Sequence, residues 1–224
     1  VTARALIPEL RLGGVAAGAA LLRSLFGFAA DGRDALRLGT QRIALASDTG
    51  PKGHGLIDHL ALAVDDVGSA MAAVQAKGGQ LDSAVTPDGP LFIPEFWKEG
   101  TRYVFFAGPE GARIELCARP GLARAGLPGH DHIGIAARDF AEMRRFFLDL
   151  GLSEVAATVL ERPGGNIPVS FLGLGASVVE LYAPPGLAAA PRPPGFWRRL
   201  VLEGADEAGP LHGPEGIEIL RRTA

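Results

Sequence analysis

Apolar and polar positions alternate along two stretches of the chain that repeat each other. Residues 58–79 read DHLALAVDDVGSAMAAVQAKGG and resume after a loop as TRYVFFAGPEGARIELCARP over 101–120. Residues 131–152 read DHIGIAARDFAEMRRFFLDLGL and are followed by VSFLGLGASVVELYAPPG over 169–186. Each stretch predicts a strand, a helix and three further strands. The opening strands alternate with period two. The helices follow Asp65-Asp66 and Asp139, residue types that suit N-caps. Met143, Phe146, Phe147 and Leu150 have helical spacing and predict a stripe buried against the sheet. Turn signals at 108–111 and 173–175 separate the last two strands of each unit.

Two weaker copies flank these. Residues 8–46 hold PELRLGGV, an Ala/Leu helix and the strand pair DALRLGT and QRIALAS. At the other end, WRRLVLEGAD and GPEGIEILRR read as first and last strands with the middle removed. The chain therefore predicts an α+β fold of four βαβββ-type modules, the outer two degenerate. Linkers are expected near 48–55, 120–129 and 184–195, where Pro and Gly concentrate.

Parity sorts each complete module onto two faces. Leu60, Leu62 and Val64 oppose His59, Ala61 and Ala63; Ile114 and Leu116 oppose Arg113, Glu115 and Cys117. The second copy sets Ile133 and Ile135 against His132, Gly134 and Ala136, and Val179 and Leu181 against Val178, Glu180 and Tyr182. The bulky face suits packing on helices. The other face carries one His, one Glu and mostly small neighbours, which suits the lining of a cavity. Two imidazoles and two carboxylates satisfy an open octahedral site that leaves positions for water or substrate.

Net charge is −3 across 224 residues, and no basic face is evident, which argues against nucleic-acid binding. A single cysteine, Cys117, excludes a Cys-rich metal site and reads as a small packing residue. No apolar run reaches the roughly 20 residues of a membrane span, and the N-terminus lacks the order of a signal peptide, so no membrane partner and a cytoplasmic location are expected. His130 shares parity with His132 and reads as an alternate ligand or a solvated strand-start residue; His54 and His212 read as loop residues. The loop PLFIPEFWKEG brings Phe92, Phe96 and Trp97, which either fold into core or line the cleft and bind substrate; Phe196 and Trp197 form a similar pair near the fourth module.

DHLALAVDD and DHIGIAARD resemble the first-strand signature of the vicinal oxygen chelate superfamily, and GPEGARIELCAR and ASVVELYAPPG resemble its last-strand signature. The resemblance is strong over 56–186. It implies modules paired into two curved mixed sheets, each enclosing a cleft. It implies His59, Glu115, His132 and Glu180 as ligands of a divalent metal ion (Zn, Ni, Fe or Mn). By the same likeness Glu9 and Arg199 stand at the His positions of the outer modules, Ala44 replaces a Glu, and Glu218 is retained. Pairing modules two with three gives one complete site and one dead site. Pairing one with two (1–120) and three with four (128–224) gives two incomplete ones. Ligand completeness favours the first arrangement, and sequential adjacency favours the second.

The resemblance implies a metal-dependent, glyoxalase-like lyase or isomerase that binds vicinal oxygens of a small substrate and stabilises an oxyanion or enediolate. Glu115 or Glu180 would then be the general base. The alternatives are a metal-free protein that sequesters a small molecule, as bleomycin-resistance proteins do, and an extradiol dioxygenase. A monomer or a homodimer fits either, since four modules suffice to close both clefts.

Overall fold

The structure is a computed structural model that describes residues 4–119, 129–187 and 192–223. Most of the expected linker at 120–129, and 188–191 within the one at 184–195, lie outside these residues. The first module comprises β1 (Ala5–Leu12), α1 (Val15–Phe26), β2 (Ala29–Ala30), β3 (Ala35–Leu38) and β4 (Gln41–Ser47). The second comprises β5 (Ile57–Ala63), α2 (Val67–Ala76), β6 (Gln80–Leu81), β7 (Leu91–Ile93), β8 (Thr101–Ala107) and β9 (Arg113–Ala118). The third comprises β10 (Gly129–Ala136), α3 (Phe140–Asp149), β11 (Ser153–Leu160), β12 (Ile167–Leu174) and β13 (Ser177–Tyr182). The fourth keeps β14 (Trp197–Glu203), β15 (Gly209–His212) and β16 (Glu218–Arg222).

First strands pair antiparallel between modules two and three, β5 with β10, and between one and four, β1 with β14. Within each module the first strand pairs parallel with the last. The sheet-sharing units are thus the inner and outer pairs, not the sequence halves 1–120 and 128–224. The two halves of the sheet are also continuous, joined where Trp197 of β14 pairs with Ile57 of β5. Sequential modules are tied differently. The duplicated GPEG turn holds its glutamate at positive φ, +55° for Glu110 and +54° for Glu215. Glu110 accepts a hydrogen bond from the Gly14 N–H ahead of α1 (3.1 Å). Glu215 accepts from the N–H groups of Arg138 and Asp139 ahead of α3 (2.7 and 3.0 Å). A carboxylate at a helix N-terminus satisfies orphan donors and complements the dipole.

The helices start where their caps predict: Asp66 accepts from Ser69 N–H and Asp139 from Glu142 N–H. Met143 and Phe147 are fully buried under α3, and Phe146 and Leu150 pack beside them. One core lies on the helix side of the sheet and takes in Leu60, Leu62, Ile114, Ile133, Leu181 and Trp197. A second, smaller cluster of Phe96, Leu160, Val169 and Phe171 lies apart from it. Among the described residues no helix is long and apolar enough to cross a membrane.

Candidate metal centre

Strands β5, β9, β10 and β13 bring their four polar groups to one point. His59 Nε2 lies 3.1 Å from His132 Nε2, 3.1 Å from Glu115 Oε2 and 3.6 Å from Glu180 Oε2. His132 Nε2 lies 3.4 Å from Glu115 Oε2 and 3.2 Å from Glu180 Oε2. All four residues are buried. The alternating face that carries His and Glu among small residues is therefore the face that converges.

Each imidazole is oriented from behind. His59 Nδ1 faces Asp58 Oδ2 at 3.1 Å, and His132 Nδ1 faces Asp131 Oδ1 at 2.9 Å. Asp58 also accepts from Arg113 (2.7 Å) and Asp131 from Arg119 (2.9 Å). With Nδ1–H donated to a carboxylate, Nε2 is left as a lone pair aimed at the centre, the arrangement of histidines that bind metals. Two such lone pairs at 3.1 Å, flanked by two carboxylates, repel one another unless a cation or protons lie between them. The donor set of two imidazoles and two carboxylates fits a divalent transition metal with open positions. His59, His132 and Glu180 have ligand atoms within 4.8 Å of one another, and Glu115 stands against both histidines.

Bulges supply the orienting aspartates. Across the β5–β10 ladder His130 and His132 oppose the adjacent pair Leu62 and Ala61, so Asp131 is an extra residue; Asp58 is likewise extra between Ile57 and His59. A bulge re-aims its extra side chain, and both aspartates join the cavity lining with the histidines that follow them. The bulge also turns His130 away. Its ring bonds Gln41 of the first module and accepts the Val178 N–H of its own (2.7 Å), linking two modules, so it faces away from the centre and is not a ligand. Burial lowers its pKa to about 4.

The charges support one another. Burial alone would lower the pKa of His59 and His132, but Glu115, Glu180 and the aspartates outweigh it and raise both well above the ordinary range. Burial would raise the two glutamates, but the histidines pull Glu115 down and Glu180 to about 2. Cys117 is buried beside Asp131 with its thiol pKa raised by burial, as suits a packing residue.

The centre lies at the floor of a cavity of about 380 Å³. Phe96 and Trp97 line it, but Phe92 does not. Alternation in β7 points Ile93 inward and leaves Phe92 on the other side, 45% exposed under Arg102. Trp97 has φ +59°, which costs a bulky residue about 1–3 kcal/mol. Its ring lies 5.0 Å from that of Phe171, and the Arg119 guanidinium sits 3.9 Å over it.

Among the described residues the outer sheet pair holds no equivalent centre. Glu9 pairs with Ala44 in the register where Ala61 pairs with Glu115, so Ile7, not Glu9, stands at the histidine position. Leu200 pairs with Ile219 as Leu60 pairs with Ile114, so Arg199 matches His59 and Leu220 matches Glu115. Glu218 is therefore not a retained ligand; it matches Arg113 and bonds Arg198 at 3.3 Å, the Asp58–Arg113 pair with its charges exchanged. Glu9 and Arg199 form an ion pair at 2.8 Å instead.

The chain superposes on glyoxalase I from Zea mays with a TM-score of 0.69 and 15% identity, covering 98% of this chain and 93% of that one. It superposes on a point variant of the same enzyme with a TM-score of 0.72 and 16% identity over the same shares. A candidate dioxygenase from Bacillus subtilis subsp. subtilis aligns at TM-score 0.61 and 13% identity, over 96% of this chain and 83% of that one. This chain has the vicinal oxygen chelate fold. No protein-family model matches the sequence. No curated protein matches it either. The vicinal oxygen chelate fold accounts for both the sheet pairing and the single point of convergence, while the reaction depends on the residues at that point.

Proposed function

We propose that the chain is a divalent-metal-dependent enzyme of the glyoxalase-like type, acting on a small molecule with two vicinal oxygens. The observation that carries this reading is the approach of His59, His132, Glu115 and Glu180 to within 3.1–3.6 Å around one point under a cavity. A divalent metal held by these residues supplies Lewis-acid stabilisation to negative charge developing on the substrate oxygens. His59 and His132 hold fixed positions because Asp58 and Asp131 lock their rings. Glu115 and Glu180 each bring a carboxylate to the cavity floor, where one accepts a proton from the carbon beside the carbonyl and returns it to the neighbouring carbon. Phe96, Trp97 and Phe171 keep water from that transfer.

The test is exchange of the carbon-bound proton of an α-hydroxy ketone in deuterated water, followed by NMR. Exchange is expected with the metal-loaded protein. A fall of a hundredfold or more is expected in Glu115→Gln or Glu180→Gln, whichever supplies the base. Equal exchange with chelated and loaded protein contradicts the proposal. Sequestration of an apolar molecule is a second reading, favoured by the aromatic wall. It predicts tight binding with no dependence on metal.

A further inference from the structure

The inference concerns the substrate class of the site just described, and rests on the metal-dependent reading of it. Charge balance on the cavity floor is nearly complete without a ligand. Two carboxylates, Glu115 and Glu180, match the charge of one divalent ion. Among the described lining residues the only arginine is Arg113, and it already carries Asp58 (2.7 Å) and Asp82 (2.8 Å). Arg119, above the wall, carries Asp131. Arg162, close by, carries Glu95 (2.6 Å). Among the described lining residues an anionic ligand would meet no side-chain cation that lacks a carboxylate partner, and burying an unpaired charge is costly.

Beyond the floor the lining is mostly apolar, and Thr101, Tyr103 and Tyr182 bring neutral hydroxyl groups to it. Phe171 lies in its wall, with Phe96 edge-on at 5.2 Å, Trp97 at 5.0 Å and His132 at 5.9 Å. Ile93, Leu160, Ile167 and Val169 fill the space between. The volume of about 380 Å³ falls near the lower end of small-molecule sites, about 300–1,000 Å³. Trp97 is held in this wall at a backbone conformation unfavourable for its type.

We infer that the substrate is an uncharged aryl α-hydroxy carbonyl compound, with its two oxygens directed to the floor and its ring against Phe171 and Trp97. The test loads the protein with Co(II), whose visible bands report ligands at the metal, and titrates three probes. Phenacyl alcohol has the ring and two neutral oxygens, hydroxyacetone lacks the ring, and phenylglyoxylate has the ring with a carboxylate. Phenacyl alcohol should shift the bands and bind about tenfold or more tighter than either of the others. Trp97→Leu should reduce its advantage over hydroxyacetone severalfold, and Ile93→Ala serves if that variant does not fold. Tighter binding of phenylglyoxylate, or equal binding of hydroxyacetone, overturns the substrate class while leaving the metal centre standing. Absence of cobalt bands from the protein itself overturns the metal-dependent reading, and the inference with it.

Discussion

A Cβ on Gly134 would lie 2.0 Å from Cε1 and 2.3 Å from Nε2 of His59, its cross-strand partner in the β5–β10 ladder. The imidazole of one module thus occupies the space left by a missing side chain in the other. Gly134→Ala should force the ring out of line while the sheet remains paired. Metal affinity is expected to fall about 10–100-fold, the range for loss of a group that orients a ligand. Competition with a chromophoric chelator measures it, and unchanged affinity would show that the ring has another place to go.

The aspartates behind the rings act on the same centre without touching it. Asp58→Asn and Asp131→Asn remove the charge that fixes each Nδ1–H, and each should weaken metal binding about 10–100-fold. Circular dichroism should remain that of the parent. Full affinity in both would mean that packing alone orients the histidines.

Protons and metal compete for the same atoms. His59 and His132 have folded pKa values raised well above the usual one, so their stabilising contribution in the metal-free protein is fully present below about 6.5, their unfolded value, and lost as pH rises through the folded one. The glutamates behave oppositely: their contribution is present above the unfolded value and lost as pH falls through the depressed one. A metal must expel the imidazole protons, so affinity should increase with pH. Calorimetry at neutral pH in two buffers of different ionisation enthalpy should report release of about two protons per ion. An enthalpy independent of buffer would contradict this.

The caps formed by Glu110 and Glu215 predict a stability effect remote from the site. Each glutamate serves backbone N–H donors and a cation, Lys52 for Glu110 (3.1 Å) and Arg192 for Glu215 (3.4 Å), so Glu110→Ala and Glu215→Ala should each cost about 0.5–2 kcal/mol. Because both positions have positive φ, Glu215→Gly should be milder than Glu215→Ala by about 1 kcal/mol. Thermal melts of the three variants decide it. Gly as damaging as Ala would mean that the turn relaxes on substitution.

Much of this was legible in the residues, because duplication repeats a weak signal. One His or Glu on a strand says little, but the same pair on the same face of two modules located all four converging groups. What alternation misses is a change of phase. The bulges at Asp58 and Asp131 put consecutive residues on one side of the ladder, so the aspartates remained part of a signature without a role, and His130 was placed on the wrong side. The Asp-His dipeptide that occurs twice was the signal that could have found them. Register misled at the ends for a related reason. Glu9 and Glu218 lie in segments that look like the inner modules, but counting from Val15 at the start of α1, and from the GPEG turn, shifts each by two residues. Gly134 read as a small neighbour, since the ring it accommodates comes from another module. Phe92 shared a loop with Phe96 and Trp97, and only the short strand β7 separates it from the cavity.

The central claim is that two imidazoles and two carboxylates hold a common cation. Equilibrium dialysis against a divalent metal, followed by elemental analysis of the protein and of its folded His59→Ala and His132→Ala variants, tests it most directly. The account predicts one ion bound per parent chain and almost none in either variant. An ion content unchanged in both variants, or no ion in the parent at saturating metal, would contradict it.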